Sequence, residues 1–335
     1  MASWHPPSEN IISKGRQPQV SVDNAGSIRI AFGRNDSIFC ATSLDKGNTF
    51  AKAVLVGVVP KMHLGMARGP QLASSANFSI ITAIDKNGDI HYFTLKHAKG
   101  ESWKTSGFVN DVRLSAPEGL MNLAADKQDN FYATWLDLRE GKSNNIYFSS
   151  LNVTTGKWNK NALAYKSPDG HVCECCRPSI AVQGSNIAIM FRNWLNGSRD
   201  LYEITSSNKG ESFKQAVKLG NGTWRLNACP MDGGSLNFNA DNTINTTWQR
   251  QGIVYYCKSG ENEKELSKGR DCSITASKGQ VIVSMSDAGV LKYKNVETNQ
   301  ETIVGKGSYL KTVILPDNRV LCIWEEGNMI KTKNI

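Results

Sequence analysis

A strand–turn–strand phrase returns seven times along this chain, and a chain written that way has few ways to fold. The first strand of each unit reads QPQVSVD from Gln17, GPQLASS from Gly69, GLMNLAAD from Gly119, RPSIAVQ from Arg177, GGSLNFN from Gly233, CSITASK from Cys272 and YLKTVIL from Tyr309. A second strand follows each, as in SIRIAFGR, NFYATWLD and TINTTWQR, and then a third, as in SIFCATS and IVYYCKS. Helical periodicity is almost absent. The runs are rich in β-branched and aromatic residues and are punctuated by Gly, Asn and Asp at a spacing of roughly 8–12 residues, the rhythm of an all-β protein. A repeat of this kind is one unit that cannot bury its apolar faces alone and must stack on its neighbours.

The fourth strand of the unit has its own echo. LSKGRDCSI and IVGKGSYLK each lead from a fourth strand into the next unit, and the N-terminal IISKGRQPQV matches them. The last unit has only three strands of its own. The segment around Ile11–Lys14 is therefore expected to supply the missing strand, closing a ring and removing exposed sheet edges. The expectation is a seven-bladed β-propeller, with six blades as the alternative count, spanning residues 1–335 as one domain.

At 335 residues the chain is long for one ordinary core, but repeats grow past that limit. The formal net charge is +9, carried by basic residues scattered over many turns with no long Lys/Arg run. That pattern argues against nucleic acid and fits a small acidic glycan or an anionic surface better. No apolar run approaches the roughly 18 residues of a membrane span. The start, MASWHPPSEN, has no apolar stretch, so no signal peptide is read in this sequence; the expectation is a mature exported chain, periplasmic or extracellular.

Cys40, Cys257, Cys272 and Cys322 sit in strand-like runs and read as small buried hydrophobes. The other four sit in two long loops, Cys173, Cys175 and Cys176 in SPDGHVCECCRP and Cys229 in NGTWRLNACPMDGG. In a propeller such loops between the fourth and first strands surround the mouth of the central channel, where binding usually resides. Three readings stand open. The thiols hold a soft metal ion, copper or zinc, for metal handling or redox chemistry, with His63, Met62, Met66 and His171 as weaker ligands. Or they form disulfides, Cys173 or Cys176 with Cys229, or a vicinal Cys175–Cys176 pair. Or one is a free nucleophilic thiol. The metal reading leads.

A charged set shares the same face. Arg34, Arg192 and Arg250 each end a second strand, Asp85, Asp137, Asp287 and Glu325 hold equivalent positions, and Arg139, Arg177 and Asp200 lie nearby. Arginine's planar fork suits a carboxylate or phosphate. The competing reading is a structural network in which these residues pair with one another.

Between third and fourth strands lies SLDKGNTF (Ser43 to Phe50) and later SSNKGESF (Ser206 to Phe213), with looser relics ending at Trp103 and Trp158. Asp or Asn caps a tight turn, Gly takes the positive φ, and the aromatic packs between strands. These are Asp boxes, and the chain resembles the sialidase-like propellers. CECCRPSIAV, RNWLNGSRDLYEITSSNKGESF and NACPMDGG resemble a bacterial subset of that superfamily. For a retaining sialidase the resemblance implies three carboxylate-binding arginines, a Tyr nucleophile activated by Glu, and an acid/base Asp. Arg34, Arg192 and Arg250, Tyr309 with Glu325, and Asp85 or Asp137 answer that description. The early Arg-Ile-Pro motif is not readable near Gln17–Gln19, and catalytic sialidases have six blades. The alternative to the metal reading is thus a carbohydrate-active protein, glycosidase or acidic-glycan binder, with disulfide-pinned loops. A protein partner on the propeller face is a third reading.

Overall fold

The second strand of each unit is buried almost end to end. Ile28–Arg34 is buried at every residue but its last, and Asn130–Asp137 at every residue but its first. Continuous burial needs cover on both faces of a sheet, and only neighbouring sheets can give it. The computed structural model describes residues 9–141, 143–168, 171–277 and 279–335; the first eight residues, on which the export expectation leans, lie outside them.

Seven antiparallel sheets form a closed ring, a β-propeller. Blade 1 is Arg16–Val22, Ile28–Arg34, Ser37–Ser43 and Val54–Val58. Blades 2 to 6 begin at Gln71–Ser74, Met121–Ala125, Ser179–Gln183, Ser235–Phe238 and Arg270–Ser277. Blade 7 has three strands of its own, Ser308–Ile314, Val320–Glu326 and Met329–Asn334. Its fourth is Glu9–Lys14, which pairs antiparallel with Met329–Asn334, Glu9 opposite Lys333 and Lys14 opposite Met329. The seven-blade count and the ring closure both agree with the repeat.

Each seam between successive blades holds its own apolar cluster. Trp135 of blade 3 packs on Ile80, Ile84 and Tyr92 of blade 2. Trp248 of blade 5 packs on Met190 and Leu201 of blade 4, and Trp324 of blade 7 on Leu291 and Tyr293 of blade 6. Burying a side chain of this size contributes about 3 kcal/mol. Fourth strands lie at the rim and are largely exposed, as in Val54–Val58. Among the described residues no helix is long and apolar enough to cross a membrane.

The two Asp-box turns are built alike. Ser43 Oγ donates to Asp45 Oδ1 (2.8 Å) and accepts from the Gly47 amide (2.9 Å), while the Thr49 amide donates to Asp45 Oδ1 (2.9 Å). Ser206, Asn208, Gly210 and Ser212 repeat the arrangement. Phe50 and Phe213 then pack into the adjoining seams.

Candidate binding pocket at the channel mouth

Three blades start their first strand on the same words, Lys14-Gly15-Arg16, Lys268-Gly269-Arg270 and Lys306-Gly307-Ser308. In each the strand bulges just beyond, between Arg16 and Gln19, Arg270 and Ser273, and Ser308 and Lys311. The next residues, Gln17, Asp271 and Tyr309, are left-handed, with φ of 56°, 52° and 57°. That conformation costs a non-glycine residue about 1–3 kcal/mol, and bulges re-aim side chains beside binding sites. Here the three side chains line one pocket at the mouth, joined by Arg177, Asp232 and Lys311.

The pocket opens outward into a cleft of ≈ 410 Å³ whose walls include Met66, Met231, Arg270 and Tyr309. Behind it, a polar space of ≈ 300 Å³ lined by Asn122, Ser179, Ser235 and Ser273 continues along the first strands. Arg177 and Lys311 border both the pocket and this inner space. Arg177 Nη1 reaches Gln71 Oε1 at 3.4 Å. Neither cation has an ion-paired carboxylate among the described residues. Burial, and then the Arg177 charge, bring the Lys311 ammonium down to about 7. Burial pushes the Asp232 carboxyl up; its Oδ2 accepts the Asp271 amide at 3.0 Å.

The cysteine loops abut this pocket. Cys175 is disulfide-bonded to Cys229, joining the blade 4 loop to the blade 5 loop. Neither pairing expected from sequence is formed, because Cys173 and Cys176 turn inward and are fully buried while Cys175 faces the exposed Cys229. The Cys173 sulfur lies 3.4 Å from that of Cys176 and 3.6 Å from that of Cys175, and Cys175 and Cys176 are 3.9 Å apart. Met231 packs on the group. Arg199 Nη1 donates to Cys173 Sγ at 2.9 Å. The hydrogen bond shared with Cys176 and the Arg199 charge lower the Cys173 thiol to about 7, while burial holds Cys176 well above the ordinary thiol value.

Two devices fix the loops to each other. The buried Arg192 guanidinium donates four hydrogen bonds to carbonyls, two to Asp232 and one each to Gln249 and Arg199, at 2.7–3.0 Å. Gly233 passes so close to the Arg177 carbonyl that a Cβ would collide with it.

The remaining sequence candidates are engaged elsewhere. Arg34 is on blade 1, across the ring from Arg192 and Arg250, with its guanidinium 4.0 Å over the Phe39 ring. Arg192 and Arg250 border one small void between blades 4 and 5, and Arg250 is ion-paired with Glu263. The expected arginine trio therefore does not gather at one point. Glu325 takes Arg16 Nε (3.0 Å) and the Gln17 amide (2.9 Å) on its two oxygens, so it pins the blade 1 bulge. Asp137 is fully buried between Arg139, the Trp135 indole and Ser115, and Asp85 caps its own turn and meets His91. His63 Nε2 lies 2.9 Å from the Pro117 carbonyl, Met62 is buried in the blade 1–2 seam, and Met66 is exposed on the cleft wall. His171 stacks on Trp194.

Sequence reasoning named Tyr309 and Arg177 but missed Lys311, Asp271 and Gln17 as pocket residues. The signal was present in the threefold Lys-Gly-Arg/Ser phrase, which marks where each bulge begins.

No family model and no curated protein matches the sequence. Solved structures share the fold. The polysaccharide lyase Uly1 superposes with a TM-score of 0.62 at 10% identity, over 97% of this chain and 91% of that one. The six-bladed fucose-binding lectin of Aleuria aurantia gives 0.56 at 11%, over 89% and 98%. The Penicillium chrysogenum alpha-L-arabinanase bound to arabinobiose gives 0.55 at 12%, over 84% and 94%. At such identities the likeness is one of fold.

Proposed function

We propose that the protein binds an acidic sugar at the channel mouth, with Arg177 and Lys311 on the carboxylate and Tyr309 and Gln17 beside the ring. The observation that carries this reading is the convergence in one pocket of two cations, neither in direct ion-pair contact with a carboxylate among the described residues, although Asp232 and Asp271 line the same pocket and act on both charges. Arg177 offers a planar fork and Lys311 a point charge, the pair that recognises a carboxylate in a partly dry site. The adjoining cleft is of a size that takes small ligands. That propellers of this shape include a fucose lectin, an arabinanase and a polysaccharide lyase supports a carbohydrate ligand. The two Asp-box turns support kinship with sialidase-like propellers, while the separation of Arg34 from Arg192 and Arg250 speaks against sialoside hydrolysis by the arginine-trio scheme. The disulfide supports an exported setting. Calorimetric titration with uronic- and sialic-acid oligosaccharides tests the reading. Binding of the acidic sugars, lost in Arg177→Ala and Lys311→Ala, is the expected result; equal binding of neutral sugars, or unaltered binding by the variants, refutes it.

A second reading is favoured by one specific observation. Three cysteine sulfurs lie within 3.9 Å of one another, and such a group suits a soft metal ion, copper or zinc. Elemental analysis of protein purified reduced and without chelator tests it, and absence of stoichiometric metal would count against it.

A further inference from the structure

We propose that Cys173, Cys175, Cys176 and Cys229 are the four ligands of one zinc site, available only when the Cys175–Cys229 bond is reduced. This rests on the metal reading of the cysteine loops and adds to it the ligand set, the ion and its control.

The spacing of the sulfurs is the first argument. Four thiolates around zinc, each about 2.3 Å from the ion, stand about 3.8 Å from one another at the corners of a tetrahedron. The separations among Cys173, Cys175 and Cys176 are 3.4, 3.6 and 3.9 Å, so three corners are already laid out. A linear two-thiolate copper(I) site would instead set its sulfurs on opposite sides of the ion. The fourth corner falls to Cys229, whose sulfur is bonded to Cys175 and need only draw back when that bond opens. Its loop cannot drift far, because Arg192 holds the Asp232 carbonyl and Gly233 is wedged under Arg177.

The surroundings suit a four-thiolate zinc. Such a site carries two net negative charges, and the Arg199 guanidinium already donates to the Cys173 sulfur at 2.9 Å. Partners of this kind orient ligands and tune the ion. Met231 covers the group on its apolar side.

The control follows from electron bookkeeping. In the disulfide state only Cys173 and Cys176 retain thiols, too few for a closed zinc site. An external dithiol supplies two electrons and two protons, the Cys175–Cys229 bond breaks, both sulfurs become thiols, and the dithiol leaves as its own disulfide. Zinc then binds the four sulfurs and the remaining thiol protons pass to solvent. Cys229 is the exposed member of the bonded pair, so the reductant meets that end.

Cobalt(II) is the probe, added to the full chain under argon either oxidised or after treatment with a dithiol and desalting. The reduced protein is expected to bind one cobalt per chain, with thiolate charge-transfer bands and intense tetrahedral d–d bands that zinc abolishes; the oxidised protein is expected to show neither. Cys229→Ser cannot form the bond, so it is expected to bind cobalt without prior reduction, about tenfold or more weaker and with an altered band pattern from the lost thiolate. Equal binding by oxidised and reduced protein would overturn the redox control while leaving the metal reading standing. Binding by neither overturns both. Bands and affinity in Cys229→Ser identical to the reduced native chain would remove Cys229 from the ligand set.

Discussion

The seam between blades 4 and 5 and the seam between blades 7 and 1 contribute to the same pocket and are held together in opposite ways. At the 7–1 seam the repeat does the work with its own parts. A backbone ladder joins Glu9–Lys14 to Met329–Asn334, and Glu325 ties down Arg16 and the Gln17 amide. At the 4–5 seam the chain departs from the repeat. A disulfide, a buried arginine with four hydrogen bonds to three carbonyls and a glycine contact against main chain lock two long loops together. The first seam presents Gln17, Tyr309 and Lys311 on a repeated bulge; the second presents Arg177 and Asp232 on loops that no other blade resembles. In a repeat protein, the places that depart from the repeat are where individual chemistry is added.

The comparison breaks most sharply at Arg192. Arg192→Met leaves the carbonyls of Asp232, Gln249 and Arg199 without their donors, and urea denaturation is expected to register a loss of about 3–5 kcal/mol. Glu325→Gln at the other seam keeps a partial acceptor and is expected to lose about 1–2 kcal/mol. Equal losses would mean that the two seams are held alike. Reducing the disulfide in metal-free protein comes next, with an expected loss of about 2–4 kcal/mol in the same assay, and no corresponding change in Cys175→Ser, which has no bond to lose.

The pocket gives a subtler contrast. Lys311 is protonated below about 7 and neutral above it, so affinity for an acidic sugar is expected to fall as pH rises through about 7, by at most about tenfold per unit for one proton. Lys311→Arg is expected to flatten that profile, since its charge persists. Folding stability carries the opposite sign. The folded Lys311 value lies below its ordinary 10.5, so the unfolded chain binds more protons between the two, and stability rises with pH across that window; Lys311→Met is expected to remove this rise. The smallest effect is expected at Asp45→Asn, because Asn208 already serves in the sister turn; melting temperature should not move measurably.

What could be read from the sequence divides along the same lines. The seven strands of each type, the ring closure and both Asp-box turns were legible because each rests on neighbours in sequence or on a period. The cysteine loops were legible as a group, but not their pairing. Which of Cys173, Cys175 and Cys176 faces Cys229 depends on how a loop of one blade turns over the next. The arginines failed for a related reason. Arg34, Arg192 and Arg250 hold equivalent positions, but equivalence in a ring places them on different radii, and each found its own partner. Lys311 was hidden by looking like one more polar residue in a first strand. Only its shared pocket with Arg177 gives it meaning.

The closing strand has a consequence for how the protein is made. Glu9–Lys14 leaves the ribosome long before its partner Met329–Asn334, with six blades of chain between them. Until then its backbone donors and acceptors lack their partner strand, and the two end blades of the arc each lack a neighbour on one face. Synthesis of the intervening chain takes tens of seconds, so Glu9–Lys14 waits that long for its partner. The nascent ring spends that interval as an open arc, and a holding factor that shields its free edges would protect it most in those seconds.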